Sequence, residues 1–325
     1  MADYKGIKGF KVQYLSADPS NFIIGQTWYN STSKALKYVG VSTAGSWATG
    51  SALNTATNFR GGAGIQTATV GFGGETPSPS ATNTTEEYDG NSWTTVNSMN
   101  TARYGLGGVG TQTAAVGFGG IIPPETGATE EYDGNSWSNS NPLNTTRKFL
   151  SGCGTQTTGL AFAGGPPPSA ATEEYDGNSW TNSNPVNTAR FGLAGAGTQT
   201  AGLAFGGSNF PSTPGFQSVT EEYNGTSWTS VNSMNTARVY TAGSSNGTQT
   251  AALCFGGGNP TATGATEEYD GTSWSTSPGS LNTARASLRG TGTQASALAF
   301  GGGPGTATEE WAGAGSATAK TITVS

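Results

Sequence analysis

The sequence predicts an all-β fold: a β-propeller of four-stranded antiparallel blades, six in number, with seven as the alternative. Three observations predict it. A unit exemplified by residues 85–120 recurs nearly verbatim along the 325-residue chain, and its tryptophans Trp47, Trp93, Trp137, Trp180, Trp228 and Trp274 fall 46, 44, 43, 48 and 46 residues apart. A period in the forties built of several short strands is the mark of propeller blades rather than of a helical solenoid. Helical periodicity is absent, because Pro, Gly, Asn and Thr interrupt every window long enough for a helix.

One unit shows the strands in order. Thr198-Gln199 joins the run 191–197 to the run 200–207, a hairpin of small residues. A polar loop with Pro follows, and then Thr-Glu-Glu-Tyr leads through a turn to Trp-Thr. In most copies that turn is Asp-Gly, a strong hairpin signal. The acid pair and Tyr recur at Glu86-Glu87-Tyr88, Glu130-Glu131-Tyr132, Glu173-Glu174-Tyr175, Glu221-Glu222-Tyr223 and Glu267-Glu268-Tyr269, with Glu309-Glu310-Trp311 as a sixth copy. Double glycines close the second run at Gly73, Gly119, Gly164, Gly206, Gly256 and Gly301. Arg60, Arg103, Arg147, Arg190, Arg238 and Arg285 read as one repeat position, with Arg289 standing apart. The ring is expected to close with both a C-terminal strand at 318–324 and an N-terminal strand; a seventh blade from residues 22–47 is the alternative.

Composition fits this architecture. Hydrophobic residues make up 33% of the chain, few for a core, but net charge is only −6 and 52 glycines suit strands crowded about a narrow axis. Low hydrophobicity marks a disordered chain when net charge is high, which it is not here. Trp, Tyr and Phe of each unit then supply the packing, each burying ~150–250 Å². Cys153 and Cys254, at strand positions in different units, read as buried free thiols rather than a disulfide or a nucleophile.

A hydrophobic run ending in Gly-Gly, then Tyr-Asp, Trp, Met or Leu, and Arg, as in Gly73-Gly74, Tyr88-Asp89, Trp93, Met99 and Arg103, resembles the Kelch repeat over residues 38–311. The Tyr-to-Trp spacing is tighter than in most Kelch hairpins, and a first copy running from Tyr38 to Trp47 is longer and degenerate. The resemblance implies a propeller. It does not carry a catalytic site over: galactose-oxidase-type propellers hold copper with histidines, and this chain has none. Sialidase-type propellers cluster arginines on a substrate carboxylate, whereas a repeated arginine points to a structural role, tying blade to blade. Adjacent glutamates on a strand face opposite ways, so the two members of a pair do not converge as acid and base. One acid is expected to pair with the repeat arginine and the other to be solvated. No cofactor is expected.

Residues 1–29 stand outside the repeat, as an anchoring segment ahead of a propeller over 30–325. Residues 1–40 carry five lysines against Asp3 and Asp18, whereas the other 285 residues carry 18 acids against nine Lys and Arg. An acidic propeller argues against nucleic acid as a partner. No apolar run approaches ~20 residues, so membrane insertion is not expected. The start lacks the apolar core of a signal peptide, so synthesis in a cytoplasm is expected. Residues 25–38, with Trp-Tyr-Asn, a Ser/Thr turn and Leu-Lys-Tyr, are similar to a short hairpin near the start of many tailed-phage structural proteins. That resemblance implies a non-enzymatic virion protein: a propeller displayed for host-surface attachment or decoration, with a host glycan or protein as its target. Lys5, Lys8, Lys11, Trp28, Tyr29, Lys34 and Lys37 are the expected contacts to other virion proteins, because charge mixed with aromatic surface is common at interfaces. The alternatives are a cellular Kelch-like interaction module and a polysaccharide-active propeller enzyme.

Overall fold

The computed structural model describes residues 12–19, 23, 25–41, 44–78, 80–212, 215–303, 305–315 and 317–321. Among these there is no helix, and the strands form seven four-stranded sheets. Six of them are the blades of a β-propeller. By contact the chain divides into two compact units, residues 46–311, which hold the propeller, and residues 1–45 with 312–325. Expectation put the start of the propeller at residue 30.

Blade 1 comprises Gly61–Ile65, Ala68–Phe72, Thr85–Tyr88 and Trp93–Val96, each strand antiparallel to the next. Blades 2 to 5 repeat it, their inner strands being Gly107–Thr111, Ser151–Gly154, Ala194–Thr198 and Ala242–Gly243. Blade 6 takes Arg289–Gly292, Ser296–Phe300 and Thr308–Ala312 from the end of the repeat region and its outer strand, Ser46–Thr49, from the beginning. The inner strands neighbour one another in order, and that of blade 6 neighbours that of blade 1, so the ring closes at six. The closing strand buries Trp47 against Phe255 and Trp311, with ring centroids 4.7 and 5.3 Å apart. A closed ring leaves no blade with an unpaired partner face and no seam between first and last repeat.

Closure therefore corrects one expectation. The C-terminal strand does not complete the propeller. Ala317–Thr321 pairs instead with Ala35–Val41, which pairs with Thr27–Asn30, itself parallel to Gln13–Leu15. Nor are Tyr38 and Trp47 members of one degenerate repeat copy: Tyr38 lies in this small sheet and Trp47 in blade 6. The small sheet is not a seventh blade, because its strands belong to the other compact unit and two of them run parallel.

Three contacts repeat around the propeller and account for the landmarks. Each outer-strand tryptophan donates its indole N–H to a threonine of the preceding blade, as Trp137 to Thr85 and Trp180 to Thr129, both at 3.0 Å, with Trp47 to Thr266 closing the series. The turn glutamine reaches two backbone carbonyls of the blade before it, as Gln112 to Thr69 and Tyr88 at 3.1 and 2.8 Å. Each outer-strand tryptophan also packs on a phenylalanine of the preceding blade, as Trp180 on Phe118 at 4.9 Å. Small residues on the inner strands let the blades approach: a Cβ on Gly108 would lie 2.7 Å from the Phe72 ring of blade 1. Cys153 and Cys254 are buried free thiols, as expected.

Candidate functional site

The two faces of the propeller differ. One carries turns that hardly vary: Thr-Gln-Thr between the first two strands, and the turn between the last two, where Asp133 accepts backbone N–H groups from Asn135 and Ser136 at 2.8 and 2.7 Å. The backbone N–H groups hold the carboxyls of Asp89, Asp133, Asp176 and Asp270 below the ordinary carboxylate range. The opposite face carries the connections between second and third strands, which differ in length and sequence; their described residues include 75–78, 80–84, 121–128, 166–171, 208–212, 215–219, 258–265, 303 and 305–307. Phe210, on the longest of them, is 48% exposed and sits edge-on to Phe216. Variable loops on a rigid frame are where binding residues concentrate.

At the centre of that loop face lies a feature the sequence did not announce. Phe59, Gly105, Phe149, Gly192, Tyr240 and Ser287, one per blade, all have positive φ, from 49° to 65°. Each donates its backbone N–H to the carbonyl of its counterpart one blade earlier, at 2.7 to 3.0 Å, and Phe59 donates to Ser287. The result is a closed collar of six hydrogen bonds about the axis. Residue size alternates around it, and packing explains why. Phe149 occupies the space over Gly105, where a Cβ would lie 3.0 Å from its ring, and Tyr240 fills the space over Gly192, where the distance would be 2.7 Å. The three large rings meet in the middle: Phe59 to Phe149 4.9 Å, Phe59 to Tyr240 5.0 Å and Phe149 to Tyr240 5.4 Å.

Inside the collar is a cavity of about 60 Å³, lined by residues of all six blades, among them Arg60 and Arg289. Larger and shallower grooves lie between outer strands. One of about 400 Å³ is lined by Thr95, Asn97, Tyr132 and Asn135; an equivalent of about 470 Å³ is lined by Ser230, Asn232, Tyr269 and Thr272.

All but one of the repeated glutamates are committed to the frame. The first glutamate of each pair is buried and takes its own repeat's arginine, as Glu173 with Arg147 at 2.9 Å, and also accepts backbone N–H groups, as Glu173 from Asn144 and Thr145. The arginine thus ties the incoming connector to the third strand of the blade it enters, rather than one blade to the next. Burial lowers the guanidinium pKa of Arg103, Arg147, Arg190 and Arg285, and the paired glutamate opposes that shift. In five of the six pairs the second glutamate is not left to solvent, as expected from sequence, but accepts the phenol of the next blade's tyrosine: Glu87 from Tyr132 and Glu222 from Tyr269, both at 2.9 Å. Glu268 is the exception, because Trp311 stands where the tyrosine would be. Burial and then the neighbouring carboxylate push those tyrosines well above their ordinary range.

Arg60 does not share the repeat position of the other arginines. Thr57 stands there; Arg60 comes three residues later, where the other units have Leu106, Leu150, Leu193, Thr241 and Leu288. From that position it still reaches Glu86, but at 3.7 Å. Its Nε and Nη1 have no hydrogen-bond partner, and burial lowers it to about 10.

The expected partner-contact residues fall in the small unit, except that Lys5, Lys8 and Lys11 lie outside the described residues. Trp28 is fully buried and donates its indole N–H to Asp18 at 3.1 Å, with Asn30 donating to the same oxygen at 2.6 Å. Lys37 pairs with the other Asp18 oxygen at 2.6 Å. These three hold the segment around Asp18 against the sheet, and Lys37 first, then Asn30, lowers the Asp18 carboxyl. Tyr29 is half-buried and stacks on Tyr14 at 5.1 Å, and Tyr14 is 75% exposed. Lys34 is exposed at the hairpin turn. So Lys34, Tyr29 and its neighbour Tyr14 remain available at the surface, while Trp28 and Lys37 serve the sheet.

No protein-family model matches the chain, and no curated protein matches it.

Proposed function

We propose that this chain is a non-enzymatic structural protein of a tailed-bacteriophage virion, a Kelch-like propeller displayed on the particle to contact a host-surface glycan or protein. The observation that carries the binding reading is the fate of the charged repeat residues. The buried arginines, the first glutamate of each pair and, Glu268 apart, the second glutamate are used inside the frame. What the propeller offers outward is a face of variable loops and polar grooves lined by Asn, Ser, Thr and Tyr. Hydroxyl and amide groups suit sugar recognition, and equivalent grooves on one molecule gain avidity on a repetitive surface.

The virion assignment rests on the hairpin at 25–38 and on the small unit it belongs to, which gathers strands from both sides of the propeller segment. That unit would dock on other virion proteins through the basic N-terminal residues with Lys34 and Tyr29, the protein being made in the host cytoplasm. The test is the protein content of purified particles when residues 1–24 are replaced by a neutral linker. Loss from the particle with the circular-dichroism spectrum kept supports docking through this unit. Normal incorporation moves the anchor to the propeller. Absence of the unaltered protein from particles replaces the virion reading with a cellular interaction module. Cleavage of a host polysaccharide by the purified protein would demand the enzyme instead.

A further inference from the structure

We propose that the propeller binds a small inorganic anion, of the size and charge of chloride, in its axial cavity, held by the guanidinium of Arg289. The departures from the repeat lead to this place. Where blades 1 to 5 begin their inner strands with Gly, Gly, Ser, Ala and Ala, blade 6 begins with Arg289, and blade 1 alone has an arginine one residue before its inner strand. Both arginines line the cavity inside the collar.

Arg289 has no carboxylate partner among the described residues. One Nη donates to the carbonyls of Gly62 and Gly108 at 2.9 and 2.5 Å, on blades 1 and 2, while its Nε is buried with no hydrogen-bond partner. Desolvation is the sole cause acting on its pKa, which falls to about 10; no acidic neighbour opposes it. Arg60 lines the cavity but carries its guanidinium outward, donating from Nη2 to the Gly71 carbonyl at 3.1 Å and lying 3.7 Å from Glu86, so Arg289 is the cation without a carboxylate. A buried cation without a counter-charge is costly, and an anion both supplies the missing charge and accepts the idle N–H.

Size chooses the anion class. A cavity of about 60 Å³ is far below the ~300–1,000 Å³ of sites for organic ligands. It has room for a monatomic ion and some water. The aromatic collar stands at one end. Towards the other, the irregular segment 244–247 of blade 5 sends the Asn246 amide across to the Gly110 carbonyl of blade 2 at 3.2 Å. Asn246 and Arg289 thus bridge non-adjacent blades, and an ion on Arg289 would join that set of cross-axis ties.

The experiment uses the full chain in sodium gluconate, with chloride or bromide exchanged in at constant ionic strength. Thermal unfolding is followed for wild type and for Arg289→Met, which keeps the length and removes the charge. A saturable rise in wild-type Tm of ~2–4 °C, absent from Arg289→Met, supports the site. Crystals soaked in bromide give an independent reading should the variant not fold: an anomalous difference peak beside the Arg289 guanidinium supports the proposal. No such peak, or an equal saturable shift in both proteins, overturns it.

Discussion

Phe149 offers the sharpest test of the collar, because Gly and Ala substitutions there should rank opposite to their usual order. A bulky residue at φ +49° sits in the left-handed region at a cost of about 1–2 kcal/mol. The collar recovers that cost through the ring: Phe149 packs on Phe59 and Tyr240 at 4.9 and 5.4 Å. Each such pair contributes ~0.5–1.5 kcal/mol beyond area burial. Burying about half the side chain adds ~1 kcal/mol. Phe149→Ala loses the ring and keeps most of the strain, so it should destabilise by ~2–4 kcal/mol. Phe149→Gly loses the same ring but relieves the strain, and should be ~0.5–1 kcal/mol less destabilised than Ala after Gly's extra unfolded-state entropy is counted. Urea unfolding of the three proteins at one pH measures the difference. If Gly proves the worse of the two, Phe149 does not hold a left-handed backbone and the hydrogen-bonded collar is wrong.

Trp180→Ala should destabilise by ~3–5 kcal/mol, read by urea unfolding, since Trp180 is buried and bonds Thr129 of the preceding blade. Arg60→Leu should lower Tm by stranding Glu86, and adding Thr57→Arg should recover most of the loss by restoring the pairing of the other repeats; no recovery would refute the alignment of Thr57 with those arginines. The phenols of Tyr88, Tyr132, Tyr175, Tyr223 and Tyr269 have raised pKa values in the folded state. Their contribution is therefore fully present below pH ~10, the unfolded value, and is lost as pH rises towards the folded values. Unfolding above pH 10 should accordingly coincide with phenolate absorbance, and Tyr132→Phe together with Tyr269→Phe should move that transition to higher pH.

The six blades were legible because their determinants are local and repeated. Trp, Tyr, Gly-Gly and Asp-Gly recur in order, and a turn such as Asp133-Gly134 closes on its own backbone. The ring's closure was only half legible. Trp47 marked an N-terminal strand by its residue type, but nothing in 317–321 distinguishes a strand that completes a blade from one that pairs with Ala35–Val41. Partners across blades were harder still. The second glutamate looked solvated because its acceptor role depends on a tyrosine some 45 residues on, as for Glu87 and Tyr132. Arg60 was assigned to the common position because an arginine near the start of the unit was all that pattern required, and only the pairing geometry exposes the three-residue shift. The collar was invisible for a different reason. Positive φ is announced by glycine, and here half the positions are Phe or Tyr. Of the expected contact residues, Trp28 and Lys37 carried the right chemistry for an interface, yet Asp18 gives both an internal partner.

The division between repeated and unrepeated residues bears on where recognition must reside. The Trp–Thr, Gln–carbonyl and Tyr–Glu contacts recur from blade to blade, so each fixes a neighbour and none distinguishes one blade from another. A surface made only of such units could bind a repetitive polymer but could not tell one end group from the next. Discrimination must come from residues that break the repeat. These gather on one face: the loops at 75–84 and 208–219, Phe210 with Phe216, and the aromatic collar they surround. The turns of the opposite face are too uniform to carry it. Exchange of the 208–219 loop for the shorter 166–171 sequence leaves every blade-to-blade contact described above in place, so specificity should change while Tm hardly moves. A loop exchange that unfolded the propeller would mean that these loops support the frame, and recognition would have to be sought in the grooves between outer strands.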